Sequence, residues 1–441
     1  MNRQLQYHIQ PGGVISGKLR VPGDKSISHR AIILGSIAVG TTEISGFLEG
    51  EDALRTLQCF RDMGVVIQGP TDGVVSIQGV GLHGLKKPSA PLYVGNSGTA
   101  MRLLAGLLSN QHFDVQLTGD TSLSKRPMKR VADPLNAMGA RVETAENGCP
   151  PLFIKGKNRI QSIDYHMPMA SAQVKSCILL AGLYAEGETV VTEPAPTRNH
   201  TELMLRSFGY SVTVKDNRVS LHGGGQLNGI SVDVPADISS AAFFMVAAAI
   251  TPGSDIVLKH VGINPTRTGI INILERMGAD ISLSNKRYIG GEGEPVADIR
   301  VRYAPLHGIV IPKEQVPLAI DEFPALFIAA ACAEGKTVLT GAEELRIKES
   351  DRIQVMADGL QILGINAKTS EDGIVIDGGE LKGGQVDSFG DHRIAMAFSI
   401  AGLRATSPVV IDDCANVDTS FPGFVALAKQ SGMNIEEQKV L

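Results

Sequence analysis

A glycine set between an amphipathic stretch and a β-branched run returns six times along the chain, and this repetition constrains the fold more than any other feature. The instances are Met63-Gly64-Val65, Met138-Gly139-Ala140, Phe208-Gly209-Tyr210, Met277-Gly278-Ala279, Leu363-Gly364-Ile365 and Ser431-Gly432-Met433, spaced by 75, 70, 69, 86 and 68 residues. Upstream of each lies a polar start followed by a nearly all-apolar run. These runs are DKSISHRAIILGSIA, NSGTAMRLLAGLL, SAQVKSCILLAGL, DISSAAFFMVAAAI, DEFPALFIAAACA and GDHRIAMAFSIAGL. Each repeat predicts a buried helix, a short strand, an amphipathic helix ended by glycine at its C′ position, then further strands. A helix that is apolar almost all round must be enclosed by other elements. In the first repeat TTEISGF reads as the strand and DALRTLQCFRDMG as the outer helix, with Leu54, Leu57 and Phe60 on one face.

Six βαβαββ-like repeats of this size are too large for a solenoid of short units. In 441 residues, two lobes of three repeats each fit the length. The expected class is α/β (α+β), with the middle boundary near Val234-Pro235-Ala236-Asp237. The strand Tyr7 to Ile9 precedes the first repeat and could pair in either lobe.

The charge balance, 41 − 46 = −5, argues against a general nucleic-acid or membrane-surface binder. With no Trp and 5% aromatic residues, a stacking platform for bases is disfavoured. Cys59, Cys149, Cys177, Cys332 and Cys414 are widely separated and odd in number, so neither a disulfide framework nor a structural zinc site is expected. MNRQLQYHIQPGG shows no basic segment followed by an apolar run, and Ala241 to Ile250 is about half a bilayer span. A cytoplasmic location is the expectation, with no metal and no cofactor.

Two glycine motifs lack what they need. Gly79 to Gly84 matches GxGxxG but runs into LKKPSAP instead of a helix. Gly12 to Lys18 matches GxxxxGK, but Leu19 stands where a magnesium-binding Ser or Thr is required. The polar helix starts carry more. Helix N-termini favour anions, and plain capping is the competing reading of each start. Cations recur beside them: Lys25 and Arg30 at the first, Arg102 at the second, Lys175 at the third and Arg393 at the last. That pattern in an acidic chain suggests a small polyanionic substrate. Ser124 to Arg130 and Arg346 to Arg352 are basic loops that also read as solvated faces. Asp321-Glu322 opens an apolar helix, where a carboxylate is either a cap or a positioned catalytic group.

Gly23-Asp24-Lys25-Ser26-Ile27-Ser28-His29-Arg30, Gly95-Asn96-Ser97-Gly98-Thr99-Ala100-Met101-Arg102, Lys125-Arg126-Pro127-Met128, Lys348-Glu349-Ser350-Asp351-Arg352 and Gly390-Asp391-His392-Arg393 together resemble the 5-enolpyruvylshikimate-3-phosphate synthase family. Ser171-Ala172-Gln173-Val174-Lys175, Arg198-Asn199-His200-Thr201-Glu202 and Asn264-Pro265-Thr266-Arg267 look like its class II branch. The resemblance spans essentially the whole chain. It implies a two-lobed inverse α/β barrel, lobes of residues 23–237 and of 1–22 with 238–441, and an active site in the cleft between them. It also implies transfer of the enolpyruvyl group of phosphoenolpyruvate to the 5-hydroxyl of 3-phosphoshikimate with release of phosphate, a step of chorismate and aromatic amino-acid biosynthesis.

By the same resemblance Lys25, Gly98, Arg126, Gln173, Arg352 and Arg393 hold phosphoenolpyruvate. Lys25, Ser26, Arg30, Ser171, Ala172, Gln173, Arg198, Asp321 and Lys348 hold 3-phosphoshikimate. Asp321 is expected as base at the 5-hydroxyl and Glu349 as proton donor and acceptor at the methylene carbon, with Lys25 and Lys348 assisting; the two carboxylates could share or exchange these roles. Glyphosate is the expected competitive inhibitor, and a monomer is the family expectation. Thr419-Ser420-Phe421-Pro422 departs from class I members, which carry a Lys just before Phe-Pro. The nearest rival is a UDP-N-acetylglucosamine enolpyruvyl transferase, which carries a reactive Cys in the loop before Arg126; Asp120 to Lys125 has none. A non-catalytic repeat scaffold for phosphorylated ligands is the rival of another class, and it would spread its cations on outward helix faces.

Overall fold

The computed structural model describes residues 4–156, 159–290 and 293–440. Residues 1–3, part of the N-terminal stretch read above, lie outside them. The chain forms two compact lobes: Gly23–Val234 with Tyr288–Glu294, and Met1–Pro22 with Pro235–Arg287 and Pro295–Leu441. The short return of 288–294 to the first lobe has no signature in the sequence.

In the lobe Gly23–Val234 the buried helices are Lys25–Ile37, Gly98–Leu108 and Ala172–Gly182, and the outer ones Glu51–Asp62, Lys129–Ala137 and His200–Ser207. Each repeat adds one four-stranded sheet. In every sheet a strand lies parallel to the one that follows the buried helix, and the remaining two run antiparallel. The parallel strand of the first sheet, Ser231–Asp233, comes from the far end of the lobe and pairs Val232 with Ile44. The three repeats therefore close on themselves around one core.

The other lobe repeats this plan with buried helices Ile238–Ile250, Phe323–Ala331 and His392–Ala401. Its circle is completed by the start of the chain. Gln4–Gly13 lies between Val409–Asp412 and Met433–Val440, and Ser16–Leu19 runs parallel to Asp255–Gly262. The N-terminal strand, ambiguous from local pattern, thus belongs with repeat six, and the strand after it with repeat four. Every residue of Ile238–Ile250 and of Phe323–Ala331 is buried, as helices without a polar face require. Among the described residues no helix is long and apolar enough to cross a membrane.

The six glycines that mark the repeats share one conformation, with φ of 86°, 92°, 84°, 98°, 86° and 110° for Gly64, Gly139, Gly209, Gly278, Gly364 and Gly432. An L side chain is strained there, and each glycine ends its outer helix by turning the chain into the next strand. The glycine decoys are turns and strand: Val74–Val80 ends at the first with no helix after it, and Gly17 and Lys18 lie within Ser16–Leu19.

Two buried helices of the first lobe touch through Gly106. A Cβ there would stand 2.1 Å from the carbonyl oxygen of Cys177 on the neighbouring helix. Backbone cannot rotate away. Alanine would gain about 1 kcal/mol of helix propensity but force the helices apart, which costs about 1–3 kcal/mol or more. Gly106→Ala should therefore lower the melting midpoint; an unchanged or higher midpoint would show that the helices can spread freely.

Candidate functional site

The buried helices of the lobe Gly23–Val234 present their N-termini to one another. Asp24, Ser97 and Ser171 cap them, accepting from the N–H groups of Ile27 at 2.9 Å, Ala100 at 3.1 Å and Val174 at 3.4 Å. Side chains then tie one start to the next. His29 Nδ1 meets Thr56 Oγ1 at 2.8 Å and its Nε2 meets Ser97 Oγ at 3.4 Å. Burial, with Lys25 and Arg30 nearby, holds its pKa well below the imidazole range, so the ring is a neutral brace. Arg102 donates to Gln173 Oε1, and Gln173 Nε2 donates to Thr99 Oγ1 at 3.0 Å.

Two cationic groupings result. Around Gly98, a Cβ would stand 3.3 Å from Arg126 Nη1 and 3.6 Å from Arg102 Nη1, so backbone, two guanidinium groups and Gln173 share one small space. Arg126 is steadied by Asn96 Oδ1 at 2.6 Å, and Asn96 in turn donates to Asp120 at 3.0 Å. The second grouping centres on Arg30. It donates to Thr201 Oγ1 at 2.7 Å, Ser176 Oγ at 2.8 Å and the Ser26 carbonyl at 2.9 Å. Burial pulls its pKa down to about 10, opposed by Glu202 and Asp24 and assisted by half-buried Arg198. Ser171 and Ala172 begin the adjoining helix, and Ser176 donates back to the Ala172 carbonyl at 2.7 Å. Lys25 is paired with Asp52.

Lys175, counted above among the cations at helix starts, does something else. It is buried between Glu193 at 2.9 Å and Glu202 at 2.7 Å. Two carboxylates already neutralise it, so it is part of the interior and not of an anion site.

In the other lobe the five expected residues meet around one guanidinium. Arg352, 1% exposed at its side chain, donates to Asp391 Oδ2 at 2.8 Å and Glu349 Oε2 at 2.6 Å, and its Nη1 lies 3.5 Å from Asp321 Oδ1. Burial alone would lower its pKa; Asp391, Glu349 and Asp321 together outweigh that and hold it above the ordinary arginine range. Lys348 Nζ stands 4.0 Å from Asp321 Oδ1 and 3.3 Å from Glu344, and Arg393 Nη2 stands 3.9 Å from Asp321 Oδ2. Asp321 and Glu349 remain accessible while Asp391 is sealed. The arrangement offers two reachable carboxylates in a field of fixed positive charge, which suits proton transfer on an anionic substrate. Glu322 stands at the N-cap of the helix Phe323–Ala331 without capping it through its side chain.

Asp391, Asn96, Thr201 and Ser176 were not assigned roles from sequence, and Arg102 was read only as a cation beside a helix start. Arg102 had a signal, four residues after Gly98 on the same helix face. Asp391 had none beyond capping, because its partner Arg352 is remote in sequence. The cysteines are all free. Burial pushes Cys59 and Cys332 up to about 12 and raises Cys177 and Cys414 as well, which makes poor nucleophiles of them. Among the described residues no group of three or more His, Cys, Asp or Glu converges as a metal would need.

Comparison with known proteins shows the family. Residues 9–427 match the family described as EPSP synthase (3-phosphoshikimate 1-carboxyvinyltransferase). The chain is 66% identical to the 3-phosphoshikimate 1-carboxyvinyltransferase of Methylococcus capsulatus and 65% identical to that of Nitrosococcus oceani, covering 99% of this chain in both, and 99% and 98% of those proteins. It superposes on the EPSP synthase structure from Acinetobacter baumannii with a TM-score of 0.90 at 60% identity, over 99% of this chain and all of that one. The enolpyruvyl transferase NikO from Streptomyces tendae shares the fold, with a TM-score of 0.81 at 15% identity and full coverage of both chains. The chain belongs to the EPSP synthase (3-phosphoshikimate 1-carboxyvinyltransferase) family.

Proposed function

We infer that the chain transfers the enolpyruvyl group of phosphoenolpyruvate to the 5-hydroxyl of 3-phosphoshikimate, forming 5-O-(1-carboxyvinyl)-3-phosphoshikimate and phosphate. The observation that carries this reading is the sharing of Arg352 by Asp321 and Glu349, two accessible carboxylates held 3.5 Å and 2.6 Å from the same buried guanidinium. Addition followed by elimination needs two such groups. As base, Asp321 takes the proton of the 5-hydroxyl while the hydroxyl oxygen of 3-phosphoshikimate bonds to C2 of phosphoenolpyruvate. Glu349 delivers a proton to C3, making a methyl group. Glu349 then removes a methyl proton as the C2–O bond to phosphate breaks, and the proton that Asp321 took from the hydroxyl passes to the departing phosphate, so both carboxyl groups return to their starting states without an external oxidant or reductant.

Both substrates bring a carboxylate and a phosphate, and each lobe offers its own cations. We assign Gly98, Arg126 and Gln173 to phosphoenolpyruvate, with Arg102 added to that set by its contacts, and Arg352, Arg393 and Lys25 as further charge partners. Ser26, Arg30, Ser171, Ala172 and Arg198 suit the phosphate of 3-phosphoshikimate, with Gln173, Asp321, Lys348 and Lys25 completing its set. Lys25 and Lys348 also offset negative charge developing during the addition. The reading extends to a cytoplasmic monomer inhibited competitively by glyphosate, by family likeness alone.

Phosphate should be released from phosphoenolpyruvate only when 3-phosphoshikimate is present; release with UDP-N-acetylglucosamine instead would favour the sister reaction, and none with either would favour a binding scaffold. Glu349→Gln preserves shape and removes the acid, so the same assay should show turnover lowered by roughly 10²–10⁴ with smaller changes in KM. Turnover within a few-fold of the parent would reduce Glu349 to a salt-bridge partner of Arg352.

Gly98 is not in the left-handed region, so alanine is tolerated by the backbone there. Its methyl would press on Arg126 at 3.3 Å and narrow the space beside it. Glyphosate, slightly longer than phosphoenolpyruvate, should lose about 1–3 kcal/mol of binding in Gly98→Ala, with inhibition weakened about tenfold or more and a smaller rise in KM for phosphoenolpyruvate. Equal inhibition constants in parent and variant would remove Gly98 from the donor pocket.

A further inference from the structure

Two helices of the lobe Gly23–Val234, Ala172–Gly182 and His200–Ser207, are joined by two neighbouring side-chain pairs of opposite character. Lys175 meets Glu202 at 2.7 Å, in an ion pair that Glu193 completes. Beside it, Ser176 Oγ meets Thr201 Oγ1 at 2.7 Å. All four side chains are buried. It is the uncharged pair that holds Arg30: Thr201 Oγ1 accepts from Nε at 2.7 Å and Ser176 Oγ from Nη2 at 2.8 Å. Among the described residues no carboxylate forms an ion pair with Arg30, although Glu202 directly follows Thr201.

The direction of each bond in the hydroxyl pair is fixed from its far end. The Ala172 carbonyl can only accept, so Ser176 gives its one proton to it, at 2.7 Å. Thr201 must then be the donor to Ser176, and its one proton is spent there. Both oxygens therefore face Arg30 with lone pairs alone. The Nε–H and one Nη2–H of a guanidinium point the same way, and two oxygens 2.7 Å apart accept them much as a carboxylate does, without its charge. The Ser26 carbonyl accepts from Nη1 at 2.9 Å. That leaves one N–H on each terminal nitrogen, enough for the two-pronged contact that a carboxylate or phosphate makes.

We propose that Ser176 and Thr201 are positioning residues for Arg30, which they hold by a neutral, carboxylate-like pair so that its charge and remaining N–H groups serve an anionic group of the acceptor substrate. The inference rests on the reading of Arg30 as a ligand of 3-phosphoshikimate. A carboxylate in their place would hold the guanidinium as firmly, but would cancel the charge by which an anion is bound. The hydroxyl pair keeps both orientation and charge. Lys175 serves the same end by engaging Glu202, one residue from Thr201, in an ion pair of its own.

The test titrates 3-phosphoshikimate into the full chain without phosphoenolpyruvate, and reads KM for both substrates and the melting midpoint. Thr201→Val keeps the shape and removes the hydroxyl. Kd and KM for 3-phosphoshikimate should rise roughly 5- to 50-fold, with KM for phosphoenolpyruvate within about twofold of the parent. Thr201→Ser returns the hydroxyl and should bind 3-phosphoshikimate within about twofold of the parent. Arg30→Lys keeps a charge but loses the fork, and should weaken 3-phosphoshikimate at least as much as Thr201→Val. If Thr201→Val binds 3-phosphoshikimate like the parent, or weakens both substrates equally, the inference is overturned while a loss in Arg30→Lys still upholds Arg30 as a ligand. A loss as large in Thr201→Ser would assign the effect to packing and overturn the inference as well. Undiminished binding by Arg30→Lys would overturn the reading of Arg30 and the inference together. Should the melting midpoint show that Thr201→Val does not fold, Ser176→Ala removes the other acceptor and carries the same expectations.

Discussion

A helix that is apolar on every side can carry polar chemistry only at its ends, and that constraint organises this molecule. Six such helices fill the two cores. Their flanks are spent on packing, so the free N–H groups of their first turns are where polar residues must gather. Asp24, Ser97, Ser171, Asp237 and Asp391 answer that need as caps. Lys25, Ser26, Gly98, Ala172, Gln173 and Arg393 stand within a turn of those caps, while Arg126, Arg198, Lys348 and Arg352 come from the loops and the outer-helix start between them. Packing and function are thus two outcomes of one pattern.

Charge is handled differently in the two lobes. Around Arg30 the guanidinium is bonded to hydroxyls and a carbonyl, which satisfy its donors without neutralising it, and its lowered pKa reflects burial without a contacting carboxylate. Around Arg352 the reverse holds. Three carboxylates surround it and keep it charged, and the positive charge serves to collect acids. One environment is suited to holding an anionic ligand, the other to holding reactive side chains in place.

Much of this was legible in sequence where it followed from period. The all-apolar runs gave away the buried helices, and the six glycines marked helix ends that all prove left-handed. What escaped was long-range pairing. Nothing near Lys175 indicates that it turns inward to Glu193 and Glu202, and nothing near Arg352 indicates Asp391. A cation facing a ligand and a cation facing a buried acid look alike in one dimension, because the distinction depends on which distant element packs alongside. The substrate assignments themselves came through family resemblance; periodicity supplied only the polar helix starts.

The strand Gln4–Gly13 lies inside a sheet whose other members begin at residue 384 and end at residue 440. Its backbone hydrogen bonds therefore form only when segments far apart in sequence meet. The core of repeats one to three is nearly contiguous in sequence, whereas the other stays open at its seam until residues 4–13 meet the strands of 384–440. Until then the strand has unpaired edges, and the alternation of Gln6 and His8 with its apolar residues is a natural defence against pairing with the wrong neighbour.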